Sequence, residues 1–254
     1  MAGRIFDTHA HYYDEKFDGL RDNIICELEN SAVCGVINCG INIETSIQCA
    51  EYAENNELFY AAVGYHPEEI TDKTFFEREK LVMLAEKRKV VAIGEIGLDY
   101  YWSTEFKQNQ IDFFIKQLEL ANELDMPVII HDREAHGDTL SIVSKHKPKG
   151  VMHCFSGSRE TANEIIKLGM YIGIGGCLTF KNSKKLRETA EKIPLERILL
   201  ETDAPYMAPE PHRGKINRSD YIIFVAQKLA EIKSITVDEV LKTTEANART
   251  LFNI

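Results

Sequence analysis

At 254 residues the chain has the length of one complete (β/α)8 barrel, which takes about 250, and its 44% of hydrophobic residues gives a core that excludes a disordered chain. A formal net charge of -10 excludes the overall basic footprint of a protein that lives on duplex DNA, so any contact with nucleic acid has to be local. The opening segment MAGRIFDTHAH has no apolar signal-like core, and no later stretch approaches the roughly 18 continuous apolar residues of a membrane span, so a soluble cytoplasmic protein away from membranes is expected.

Eight short β-rich runs follow one another: RIFDTH, GVINCG, LFYAAVG, KVVAIGE, MPVIIH, KGVMHC, MYIGIGG and RILLETD, beginning near positions 4, 35, 58, 89, 126, 149, 170 and 197. Their spacing leaves room for one crossover helix between each consecutive pair, and their continuous apolar character is what a parallel sheet covered by helices requires. Residues 106–125 show the intervening pattern, with Ile111, Phe114, Ile115, Leu118 and either Ala121 or Asn122 on one helical face. Pro127 and Gly169 punctuate returns from helix to strand. Strict eightfold alternation predicts a TIM-type (β/α)8 barrel, with a doubly wound open sheet as the alternative. Residues 203–217 (DAPYMAPEPHRGKIN) read as a long functional loop after the eighth strand, and a C-terminal helix follows with Thr236 as N-cap and Glu239 completing a capping box. No linker or low-complexity tract interrupts the pattern, so residues 1–254 read as a single domain.

Four of these runs end in a side chain that can ligate a metal: Glu95, His131, His153 and Asp203. The first adds His9 and His11. All strand C-termini of a parallel barrel open on one face, so residues scattered along the chain converge there. His9 and His11 are two apart, and an extended strand sends both to the same side. Imidazole and carboxylate ligands together suit zinc, manganese, iron or nickel. Four histidines and two carboxylates exceed the three protein ligands of one catalytic zinc, which predicts two divalent ions.

A single strand-end histidine is ordinarily a hydrogen-bonded structural residue; six compatible residues at matching strand ends reverse that expectation. His66, in VGYHP, either touches a substrate phosphate or caps the turn before Pro67, and the sequence leaves both open. His136 and His146 read as solvated surface, and Cys154 as core packing facing the helical layer. The six cysteines include no Cys-x-x-Cys pair and read as reduced thiols. Ser156 lies in no Gly-x-Ser-x-Gly elbow, and GIGG at 173–176 lacks a phosphate-loop lysine, so neither a serine hydrolase nor a nucleotide-loop enzyme is supported.

The segments DTHAHYYD (7–14), GEIGLDYYW (94–102), HDREAHGD (131–138), HCFSGS (153–158) and ETDAPYMAP (201–209), followed by HRGK (212–215), resemble the TatD family of metal-dependent deoxyribonucleases among the amidohydrolase-like barrels. The ordered set covers essentially the whole chain. The resemblance implies a metal-dependent hydrolase barrel that cuts phosphodiesters of DNA, single-stranded DNA above all, with 3'-5' exonuclease action as one mode and RNA as a substrate of some members. It also implies a divalent ion commonly met by magnesium in assays, which departs from the zinc or manganese preference of the donor set. Carried over residue by residue, His9, His11 and Asp203 resemble ligands of one ion, His131 and His153 ligands of the other, and Glu95 the bridge. One departure follows HRGK, where Asn217 leads into Arg218 and Ser219 instead of the family's proline.

On this reading Asp203 orients the attacking water and takes its proton, with Glu95 as the second catalytic carboxylate. His66, Arg133, Arg213 and Lys215 are the candidates to meet the phosphoryl oxygens, Arg213 foremost. The rivals are a small-molecule amidohydrolase or lactonase on the same ions, and a non-catalytic nucleic-acid binding barrel. No stable protein partner can be inferred.

Overall fold

The structure is a computed structural model that describes residues 3–254, so Met1 and Ala2 of the opening segment lie outside it. The eight runs form strands Ile5–Ala10 (β1), Val33–Cys39 (β2), Phe59–Val63 (β3), Val90–Asp99 (β4), Val128–Arg133 (β5), Gly150–Met152 (β6), Tyr171–Ile174 (β7) and Ile198–Leu200 (β8). Each begins within two residues of the expected position. All pair in parallel and in chain order from β1 to β8, a TIM-type barrel and not an open doubly wound sheet.

The seam between β8 and β1 is closed by few backbone bonds and by side chains. Asp203 N–H donates to His9 O at 2.9 Å, His11 N–H donates to Ala204 O at 2.7 Å, and Thr8 Oγ1 donates to Leu200 O at 3.1 Å. Asp7 completes the join by accepting from Thr202 N–H and Oγ1 and from Ser219 Oγ at 3.0, 2.6 and 2.7 Å. Complete burial pushes the Asp7 carboxyl up to about 7, even with these donors pulling it down. Ser219, which stands in the stretch that departs from the family pattern, therefore has a structural task at the seam.

Helices Arg21–Glu29 (α1), Ile43–Asn55 (α2), Arg78–Ala85 (α3), Lys107–Glu123 (α4), His136–His146 (α5), Arg159–Lys167 (α6) and Lys184–Lys192 (α7) occupy the seven crossovers. Two helices, not one, follow β8: Ile222–Lys233 (α8) and Val237–Phe252 (α9). Thr236 caps α9 as expected, its side chain accepting from Glu239 N–H. The return bond that would complete a capping box is seen instead at α2, between Asn42 and Thr45.

Strand residues alternate between two apolar layers. Ile37, Ala62, Ile129, Val151 and Leu199 fill the barrel, where Phe6 packs with Ala248 and Phe252 of α9. Val36, Val63, Ile130, Met152 and Leu200 face the helices. The α4 face differs from its apolar periodicity: Phe113, Phe114, Leu118 and Ala121 are buried together with Gln110 and Gln117, while Ile111 and Ile115 are only partly covered. The glutamines go inward because the loops above the strands leave backbone groups to satisfy. Gln117 bonds both N–H and C=O of Tyr65, and Gln110 accepts from Asp99 N–H. All six cysteines are free thiols. No helix among the described residues is long and apolar enough to cross a membrane.

Candidate metal centre

The C-terminal mouth of the barrel gathers all six sequence-predicted donors in one place. His9 stands in β1 and His11 just past it, and their Nε2 atoms are 3.0 Å apart, as same-side alternation requires. His131 lies in β5, His153 directly follows β6, and Asp203 follows β8 in a left-handed conformation (φ 60°). Glu95 sits within β4 and not at its end, because the strand runs on to Asp99. Gly97 makes that possible: at φ 143° a Cβ there would collide with the His131 carbonyl oxygen, so only glycine lets β4 pass β5 this closely.

Glu95 is the hub. Its Oε1 lies 2.9 Å from His131 Nδ1, 2.8 Å from His153 Nε2 and 3.4 Å from His66 Nε2. Its Oε2 lies 3.2 Å from His9 Nε2 and 3.5 Å from His11 Nε2, and Asp203 Oδ1 is within 3.7 Å of both those nitrogens. One carboxylate thus divides the imidazoles into two groups, one at each oxygen. Three overlapping sets could each hold a cation, His9/His11/Asp203, His9/Glu95/His153 and His66/Glu95/His131, with donor atoms inside 4.8 Å of one another. His66 caps the turn, its Nδ1 accepting from Glu68 N–H at 3.2 Å, while its Nε2 faces Glu95 in the site.

The electrostatics fit a cation. Burial alone would push the Glu95 carboxyl up, yet the His153, His9 and His66 imidazoles and the His131 hydrogen bond hold it well below the usual range. Asp203 is likewise pushed up by burial and brought below its ordinary value by His11, His9 and His153. Burial opposes protonation of His131, but its bonds to Asp99 and Glu95 raise it to about 9. Burial also lowers His153, which Glu95 and Glu201 override upward, whereas His9 stays low through burial and through the charge of His153, whose ring lies 3.9 Å from its own between centroids. Protons here do what a divalent ion does, holding together carboxylates and imidazole lone pairs that otherwise crowd one another.

Groups that the sequence reading missed aim these donors. Asp99 Oδ2 accepts from His131 Nε2–H at 2.9 Å, leaving Nδ1 to face Glu95. The Cys39 carbonyl accepts from His11 Nδ1–H at 2.8 Å, leaving Nε2 inward. Glu201 is buried with Oε1 3.6 Å from His153 Nδ1, and both His153 Nδ1 and Glu201 Oε2 are buried without a hydrogen-bond partner. Even spacing from Glu95 within β4 could have suggested Asp99, whereas Glu201 and Asp203 both lie past the end of β8, where alternation does not hold.

The substrate-binding candidates fare unequally. Arg133 ends β5 with its guanidinium 3.7 Å above the Tyr101 ring. Arg213 is exposed on the loop after β8 and lies over Phe180 at 4.4 Å, and Lys215 is exposed two residues on. Cys154 does not follow strand alternation, because β6 ends at Met152 and Cys154 is left-handed (φ 42°); its N–H donates to Glu201. His136 is half-buried, its Nδ1 2.6 Å from Asp132 Oδ2, where solvated surface was expected; His146 is only partly covered.

A TIM-type barrel with clustered imidazoles and carboxylates at the C-terminal mouth defines the metal-dependent hydrolases of this architecture. The family model for TatD related DNase matches residues 6–253. The metal-dependent hydrolase YabD of Bacillus subtilis is 39% identical over 253 residues, covering 98% of this chain and 99% of that one. A protein of Escherichia fergusonii named 3'-5' ssDNA/RNA exonuclease TatD is 32% identical over 258 residues, covering 98% and 99%. The crystal structure of YjjV, a TatD homologue from Escherichia coli, superposes with a TM-score of 0.91 at 34% identity over 100% of both chains. The chain belongs to the TatD family and is a metal-dependent hydrolase.

Proposed function

We propose that this hydrolase cuts phosphodiester bonds of single-stranded nucleic acid at a centre of two divalent ions. The observation that carries the reading is the division of donors by Glu95, whose two oxygens each face their own group of imidazoles. His9, His11 and Asp203 would hold one ion, His131 and His153 the other, and Glu95 both. Bound there, divalent cations supply Lewis acidity that lowers the pKa of water toward about 7 and offsets charge on phosphoryl oxygens.

The chain's own groups do the rest. Asp203 is ionised at neutral pH and partly open to solvent, so it can orient the attacking water and accept its proton. His66 Nε2, beside Glu95 Oε1, is placed to donate to a phosphoryl oxygen. Arg213 and Lys215 put positive charge on the loop after β8, which suits a phosphate in a chain of net charge -10. The relative named as a 3'-5' ssDNA/RNA exonuclease supports nucleic acid as substrate and an exonuclease mode.

The test is cleavage of end-labelled single strands alongside simple esters and lactones, with metal analysis of the same protein. Chelation is expected to abolish cleavage of the strands and a divalent ion to restore it, at two ions per chain. Chelator-resistant cleavage would sink the metal mechanism, one ion per chain the two-ion part, and turnover of lactones but not of strands would install the small-molecule reading.

A further inference from the structure

Large hydrophobic side chains are exposed at few positions, and four of them, Tyr101, Trp102, Tyr206 and Met207, stand on the loops after β4 and β8 at the mouth. The backbone beneath the β4 pair is tied down. Asp99 accepts from His131 Nε2–H through Oδ2 and from Tyr101 N–H through Oδ1, both at 2.9 Å, so one carboxylate fixes the candidate ligand and the base of the aromatic loop. Tyr100 N–H donates to Arg133 O, and Tyr100 Oη donates to Asp138 Oδ2 of α5, each at 2.9 Å. Beyond these ties Tyr101 and Trp102 project at 53% and 68% exposure, edge to face with ring centroids 4.8 Å apart. The Arg133 guanidinium covers Tyr101 at 3.7 Å and lies 5.3 Å from the Trp102 ring. Among the described residues that guanidinium has no ion pair and no hydrogen-bond partner, so its donors are available to a phosphate.

We infer that Trp102, with Tyr101 and Arg133, is a stacking subsite for a nucleobase of the single strand whose phosphate occupies the metal centre. This rests on the phosphodiesterase reading and deepens it. A flat, exposed indole, next in the chain to Tyr101 whose N–H is held one carboxylate away from His131, offers a π-face to any base, while the guanidinium beside it offers positive charge to the backbone that carries the base. A duplex keeps its base faces stacked on each other, so such a platform selects unpaired strands by shape and not by sequence. It supplies locally the affinity that an acidic chain cannot draw from its overall field.

Trp102 is the single tryptophan of the chain, so its emission reports this position alone. With the metal-loaded protein, a phosphorothioate-linked oligothymidylate should quench the emission with saturation, and a duplex of equal length and inorganic phosphate should not. Trp102→Ala should raise KM for a single-stranded oligonucleotide about tenfold or more, and Trp102→Phe should restore most of the loss. Melting curves of both variants guard against misfolding. Equal quenching by duplex, or unchanged KM in Trp102→Ala while the native chain cleaves single strands, overturns the subsite and leaves the nuclease reading standing. Emission that shifts with protein concentration and not with oligonucleotide overturns it in favour of a second copy of the chain. A native chain that cleaves no nucleic acid removes the nuclease reading itself, and the subsite with it.

Discussion

Along β5 one peptide bond separates two environments. Ile129 and Ile130 are fully buried, one turned into the barrel and one toward the helices, among aliphatic neighbours. His131, next in the chain, faces carboxylates on both ring nitrogens. The body of the barrel is stabilised by removing apolar surface from water. The mouth gathers buried carboxylates and imidazoles whose mutual compensation leaves them close to the cost of desolvation. The contrast teaches that a barrel delegates stability to its strands and frees the strand ends to hold groups no core would tolerate.

The largest effect that sharpens this contrast is expected from Glu95→Gln. Loss of the carboxylate that serves both groups of imidazoles should lower turnover by at least about 10³-fold, beyond the 10–100-fold typical of outer partners of metal ligands. Circular dichroism and a melting curve should show the native fold. A collapse of the fold in step with activity would erase the distinction between mouth and body. The converse change is Leu118→Ala in α4, where a fully buried side chain is truncated. It should cost about 2–5 kcal/mol in denaturant unfolding while kcat per folded molecule stays near that of the native chain. A large fall in kcat would show that α4 packing reaches the mouth.

The same division explains what the sequence made legible. Strands and their order were readable because continuous apolar runs have one physical cause, burial on both faces, and the six donors because they sit where those runs stop. The buried glutamines of α4 were not readable, since periodicity counts apolar residues while Gln110 and Gln117 are drawn inward by loop backbone groups that only the tertiary fold brings near. Asp99 stayed hidden because the glycines of GEIGLD look like a strand end, whereas Gly97 lets β4 continue past β5. His66 was ambiguous in the sequence for a good reason, as one ring nitrogen caps the turn and the other faces Glu95.

Two smaller effects test where the mouth ends. Asp99→Asn keeps the shape but weakens the acceptor for His131 Nε2–H, and divalent-ion affinity, measured by titration of the metal-free protein, should fall about 10–100-fold. Affinity equal to that of the native chain would place Asp99 with the loop it supports and not with the centre.

Glu201 lies at the boundary itself. Its Oε1 accepts from Cys154 N–H at 2.5 Å, a bond that amide chemistry can retain, while its charge acts on His153 Nδ1. Glu201→Gln should therefore reduce ion affinity by only about tenfold, the low end for an outer partner. Gly173 gives an independent approach to the same carboxylate, because a Cβ there would come within 2.5 Å of Glu201 Oε2 and force it to move. The same Cβ would stand 3.0 Å from His153 Cα, so Gly173→Ala should lose at least as much affinity as Glu201→Gln, and the double variant should fall short of the sum because both changes disturb one carboxylate. Additive losses would mean that Gly173 shapes the mouth by another route, and no loss in Glu201→Gln would assign this buried carboxylate to the body of the barrel.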